Sequence, residues 1–133
     1  MLSGQVLVNP QELRRPQLEA TVALATGSAP PGIFAAVGPH ATDTVSLALW
    51  ERVAELAEHH ELPVHAHLAQ SLGEVERTRA REGCSPVELI ERAGVLQRAP
   101  AALFVHDLYV TRDELNRLAE ADDVIDNSRD KQY

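Results

Sequence analysis

Two kinds of hydrophobic run alternate along this chain. Short stretches rich in Val, Ile, Leu, Phe and Ala lie at Gln5–Val8, Ile33–Val37, Pro63–Leu68, Ala101–Val105 and, more weakly, Val124–Asp126. Their continuous apolar character suits parallel strands buried on both faces. The stretches between them repeat at helical spacing. From Ser46 to His60, Leu49, Trp50, Val53, Leu56 and Ala57 recur every three or four residues, while Glu51, Glu55 and Glu58 fall mostly elsewhere. One face of that helix should therefore pack on the sheet. Three further helix starts are marked by S/T-x-x-E, at Ser71 with Glu74, Ser85 with Glu88 and Thr111 with Glu114. In this capping box the hydroxyl and the carboxylate satisfy orphan backbone N–H groups reciprocally. Pro86 strengthens the second start, because a proline at the first helical position loses no hydrogen bond. Another helix is predicted around Leu18–Leu24, between loops at Arg14-Arg15-Pro16 and Thr26 to Pro31.

This βα rhythm predicts an α/β fold with about four or five parallel strands and flanking helices. Residues 1–125 read as one domain, and the polar stretch 126–133 as a C-terminal tail. Composition narrows the class. At 133 residues with 44% hydrophobic and 24% charged positions, the chain fits a soluble globular domain. No run approaches the roughly 20 apolar residues that cross a bilayer. No secretory signal is apparent in residues 1–10, so the cytoplasm is the expected location and no membrane partner is expected. The net charge of −8, with Arg77, Arg79 and Arg81 balanced by neighbouring glutamates, argues against a nucleic-acid partner. Cys84, the single cysteine, has no internal disulfide partner and sits in what reads as a turn between helices.

Histidines supply the candidate chemistry. His59 and His60 end a charged helix, where a cation suits the dipole and a surface position is expected. His40, His65, His67 and His106 instead lie on or just after predicted strands, and in a parallel barrel the strand C-terminal ends converge on one mouth. His65-Ala66-His67 places two rings on one face of a strand, as a metal pair requires. Taken singly, each of these histidines is equally compatible with a packed or hydrogen-bonded structural role. Gly38-Pro39 makes the chain turn sharply before His40.

In order and spacing, Gly38-Pro39-His40 with Thr44-Val45-Ser46, then His65-Ala66-His67-Leu68-Ala69-Gln70-Ser71 before Glu74-Val75, then Val105-His106 with Leu108 and Thr111, resemble the amidohydrolase superfamily. The likeness is to its branch of S-adenosylhomocysteine and methylthioadenosine deaminases, guanine and cytosine deaminases and triazine chlorohydrolases. It covers nearly the whole chain, as the middle portion of the barrel from about the third strand to the seventh. The resemblance implies a partial TIM-type (β/α) barrel. It makes His67 the fifth-strand metal ligand, His106 the histidine that contacts the water or substrate at the metal, and His40 a substrate-binding residue; it assigns His65 no role. The implied cofactor is a divalent metal, zinc or iron, held weakly or not at all by this chain alone.

Four departures stand out. Gln70 occupies the position of the family's proton-shuttling carboxylate, and an amide orients water but does not take its proton. Asp43 replaces a tyrosine-like residue at the pocket rim, and Asp126-Asn127-Ser128-Arg129 stands at the seventh-strand loop. The first-strand H-x-H pair and the eighth-strand aspartate have no place in 133 residues. The resemblance thus implies hydrolytic deamination of a small heterocycle, such as a nucleobase or nucleoside, impaired or absent in this chain alone. The alternative is a non-catalytic binding or assembly module that completes its sheet by homo-oligomerisation, because strands cut from a closed barrel leave open edges.

Overall fold

The computed structural model describes residues 2–8, 23, 31–121 and 124–126. Five strands, β1 (Leu2–Val8), β2 (Ile33–Pro39), β3 (Val64–Leu68), β4 (Ala102–His106) and β5 (Val124–Asp126), form one parallel sheet. Their spatial order follows the chain order. The register aligns Val37 with Val64, Val64 with Ala102, and Ala102 with Val124. Parallel neighbours need a crossover, and described helices supply it between β2 and β5. These are α1 (Leu47–His60) before β3, then α2 (Leu72–Glu82), α3 (Pro86–Arg92) and α4 (Val95–Arg98) before β4, and α5 (Arg112–Glu120) before β5. The helix expected at Leu18–Leu24 and the loop residues 127–129 lie outside the described residues, Ala23 excepted. β5 runs through Asp126, one residue into the stretch expected to be tail.

Each helix begins where the local chemistry directs it. Ser46 caps α1 by accepting from Leu49 N–H, and Glu61 ends it in the left-handed region at φ 53°, returning its N–H to Ala57 and Glu58. Gly83, at φ 70°, closes α2, where a residue without Cβ adopts that conformation freely. The capping boxes at Ser85 with Glu88 and Thr111 with Glu114 both close. The Ser71 box does not. Ser71 accepts from Glu74 N–H, but the Glu74 carboxylate bypasses the Ser71 N–H and takes that of Gln70.

The core sits between the sheet and the helices. Ala35 and Val37 of β2, Val64, Ala66 and Leu68 of β3, and Ala102 and Phe104 of β4 pack with Trp50, Val53, Ala54 and Ala57 of α1, Leu89 and Ile90 of α3, Val95 of α4 and Leu118 of α5. At about 25 cal/mol per Å² of apolar surface withdrawn from water, this layer is the main source of stability. The other sheet face departs from the expected burial on both sides. Burial alternates along β3, with His65 and His67 half-buried between buried Val64, Ala66 and Leu68, and Leu103 and Val105 of β4 are also half-buried. Phe34 of β2 is 60% exposed. The described helices cover one face, so side chains of period two on the other remain partly in water. Among the described residues, no helix is long and apolar enough to cross a membrane.

Candidate functional site

Three histidines meet at the C-terminal ends of consecutive strands. His40 directly follows β2, His67 is the penultimate residue of β3, and His106 is the last of β4. The parallel register places His67 beside Val105 and Leu68 beside His106, while His67 N–H donates to the His40 carbonyl at 3.2 Å. The rings of His40 and His67 lie edge to face with centroids 5.4 Å apart, and those of His67 and His106 stack at 5.2 Å. His65 sits two residues back along β3 on the same face as His67.

The central ring is electrostatically distinct. Burial pushes the His67 pKa below the ordinary histidine value, the neighbouring His106, His40 and His65 push the same way, and Glu74 opposes them. A neutral imidazole is the form that ligates a metal. Its Nδ1 is buried and, among the described residues, has no hydrogen-bond partner. His40 is exposed, with Nδ1 3.0 Å from Thr44 Oγ1. Thr44 in turn donates to the Ala41 carbonyl, so its lone pair is left for a proton on His40 Nδ1. That arrangement leaves His40 Nε2 as the acceptor nitrogen.

The backbone at this rim is strained. Ala69, His106 and Asp107 have φ of 48°, 88° and 46°, a region unfavourable to side-chain-bearing residues. The turns are tied across the strands: Asp107 N–H donates to Leu68 O, and Leu108 and Tyr109 N–H both donate to Ala69 O.

A second layer fixes the loop after His40. Asp43, expected at the pocket rim, is engaged by Arg77 of α2, whose Nε and Nη2 reach its Oδ2 at 2.9 and 2.8 Å. Arg81 donates to the carbonyls of Thr42, Asp43 and Val45. Thr42, fully buried, donates to Glu74 Oε1 at 2.7 Å and lies 3.1 Å from the Thr78 hydroxyl. Because the single Thr42 proton is committed to the carboxylate, Thr78 is the donor to Thr42. None of these tertiary roles was visible in the sequence: Glu74 read only as a helix cap, and Thr42, Thr78 and Arg81 carried no motif. Gln70 itself is exposed, in the loop that follows β3 three residues after His67.

The donors suit a metal only in part. Imidazole is a good ligand for zinc or iron, and the unpartnered buried Nδ1 of His67 is the nitrogen such an ion would take. Among the described residues, however, no group of three or more His, Cys, Asp or Glu side chains is arranged to hold an ion. A catalytic zinc ordinarily takes three protein ligands and one open position. An open cavity of about 560 Å³, bordered by Glu91, Leu96, Gln97, Arg117 and Glu120, shares no residue with the histidines. The Arg117–Glu91 ion pair at 2.8 Å joins two of its walls.

Comparison with known proteins gives this arrangement a context. Residues 2–131 match the family described as the amidohydrolase family. A 5-methylthioadenosine/S-adenosylhomocysteine deaminase from Moorella thermoacetica is 34% identical over 119 residues, which are 87% of this chain and 27% of that protein. The structure of an adenosine deaminase from Xanthomonas campestris with bound zinc superposes with a TM-score of 0.77 at 27% identity, covering 93% of this chain and 28% of the other. A guanine deaminase from C. acetobutylicum with guanine in its active site, at 17% identity and TM-score 0.70 over 80% of this chain and 26% of its own, shares the fold. The chain thus spans about a quarter of the length of the relatives it matches.

Proposed function

Since the chain belongs to the amidohydrolase family, we propose that its histidine cluster is the middle part of a site for hydrolytic deamination of a nucleoside or related heterocycle, built on part of a TIM-type (β/α) barrel. The observation that supports this most is the convergence of His40, His67 and His106 at adjoining strand ends, with centroids 5.4 and 5.2 Å apart. In this reading His67 offers Nδ1 to a divalent metal, zinc or iron, whose further ligands come from outside the described residues. When bound, such an ion supplies Lewis acidity and lowers the pKa of water toward neutrality. The other roles belong to the chain. His106, stacked on His67, contacts the attacking water or the substrate. His40 presents Nε2 to a ring N–H or hydroxyl of the heterocycle. Gln70 orients water by hydrogen bonding but takes no proton, which removes general-base assistance typically worth 10²–10⁴-fold.

The chain on its own is accordingly a poor catalyst. Zinc content and ammonia release from adenosine, 5'-methylthioadenosine and guanine test both halves of the reading. Weak zinc uptake that disappears in His67→Ala, with ammonia near background, is the expected result. Tight uptake unaffected by that substitution removes His67 from the metal site, and stoichiometric zinc with rapid turnover overturns the impairment.

A second reading rests on the sheet face that the described helices leave partly in water. Exposed Phe34 and half-buried Leu103 and Val105 leave apolar side chains partly in water that a second copy could cover, making the chain an assembly module. Sedimentation over a wide concentration range should then show self-association. A monomer at the highest concentration excludes this reading.

A further inference from the structure

The three S/T-x-x-E boxes serve as one another's controls. Glu88 closes its box on Ser85 N–H, and Glu114 closes its box on Thr111 N–H. Glu74 stands at the same position of the same motif, yet its Oε2 accepts from Gln70 N–H at 2.7 Å, one residue further back. The diversion has a backbone correlate. Ser71, at φ −141°, is far more extended than Ser85 at −75° or Thr111 at −78°, and Ala69, two residues before it, lies in the left-handed region. Through its other oxygen, Glu74 accepts from Thr42, two residues after His40.

Glu74 is 3% exposed, and of its two short, charge-assisted bonds the one to Thr42 is buried and the one to Gln70 part-buried. Its place in the first turn of α2 adds the favourable end of the helix dipole. A buried carboxylate is tolerated when its lone pairs are filled, and here each oxygen is filled by a different βα loop. One loop carries His40 and the other carries Gln70. We infer that Glu74 is a positioning residue: it sets the spacing of these two loops, and through them the placement of His40 against His67 and of the loop that carries Gln70. That its effect reaches function rests on the reading of the histidines given above; its effect on geometry does not.

The test uses the full chain and four variants. Glu74→Gln keeps the shape but leaves one acceptor oxygen for two donors, Thr42→Val removes one arm, Thr42→Ser keeps the hydroxyl, and Glu114→Gln is the matched control on α5. Loss of a hydrogen bond to a charged acceptor should speed hydrogen exchange at the Gln70 amide by about 10- to 100-fold in Glu74→Gln. Glu114→Gln should leave that amide unchanged. The His40–His67 ring contact, read as a nuclear Overhauser effect, should weaken in Thr42→Val and return in Thr42→Ser. Adenosine affinity should fall at least about tenfold, equivalent to about 1.4 kcal/mol, in Thr42→Val and recover in Thr42→Ser. If Glu74→Gln does not fold, the Thr42 pair decides the matter. Unchanged Gln70 exchange and ring contact, or a lowered melting temperature without loss of either, overturns the inference. Failure of the parent chain to bind adenosine instead defeats the functional reading, while the exchange and ring measurements still judge Glu74.

Discussion

At His67, burial and three neighbouring histidines favour the neutral ring, and its Nδ1 has no partner among the described residues. In the function proposed above, Gln70, three residues on, orients water without taking its proton. Its side chain is exposed, so Gln70→Glu should change stability by no more than about 0.5 kcal/mol in urea unfolding. With zinc supplied, the same substitution should raise ammonia release by about 100-fold or more, the lower end of general-base assistance. An unchanged rate would shift the block to the metal site. Cys84 shows the same physics without the function. It is 3% exposed, and burial raises its thiol pKa above the ordinary value. A raised native pKa means the folded state holds its proton longer than the unfolded chain. The stability linked to this thiol is therefore intact below about pH 8.5 and declines as pH climbs from there toward the native value. Thiol titration should find Cys84 slow to react in native buffer at pH 8 and fast in denaturant; rapid native labelling would contradict its burial.

Helix caps give the element scale its sharpest contrast. Ser46 makes one cap bond, to Leu49 N–H, whereas Ser85 both caps α3 and donates to the buried Glu114 at 2.6 Å. Ser46→Ala should cost about 1 kcal/mol, as ordinary caps do. Ser85→Ala should cost about 1–3 kcal/mol more, because it also strips a partner from a buried carboxylate. Equal costs in chemical denaturation would show that the Ser85–Glu114 bond contributes nothing. The same elements show what the sequence could disclose. The boxes at Ser85 and Thr111 close within four residues and were legible, as were α1, from its apolar spacing, and the strands. The Ser71 box was misread because Glu74 gives one oxygen to the Gln70 N–H instead of that of Ser71 and the other to Thr42, 32 residues away, and the S/T-x-x-E pattern encodes neither the local backbone turn nor the tertiary partner. Helix α4 has four residues and starts at left-handed Gly94 without a side-chain cap, so it left no signal to read. His40, His67 and His106 were legible as a group because strand ends converge in a parallel sheet, but the clamp of Thr42, Thr78, Arg77 and Arg81 around them was not.

On the scale of the whole molecule, the sheet is asymmetric: helices seal one face, and the other keeps Phe34 in water. If that face drives self-association, Phe34→Glu should shift the population toward monomer in sedimentation. Because the ring is already 60% exposed, the unfolding midpoint should hardly move. A variant that associates as strongly as the parent would place the contact elsewhere. The order of the strands has another consequence. Among the described residues, each strand pairs with those immediately before and after it in the chain, so these pairings are settled within neighbouring βα units. A polypeptide built this way is divisible: cutting it at a unit boundary removes one ladder and leaves the register of every other untouched. Such a fold can be lengthened, shortened or shared between chains in whole units, and His40, His67 and His106, which lie on three successive units, travel together through any cut outside that block.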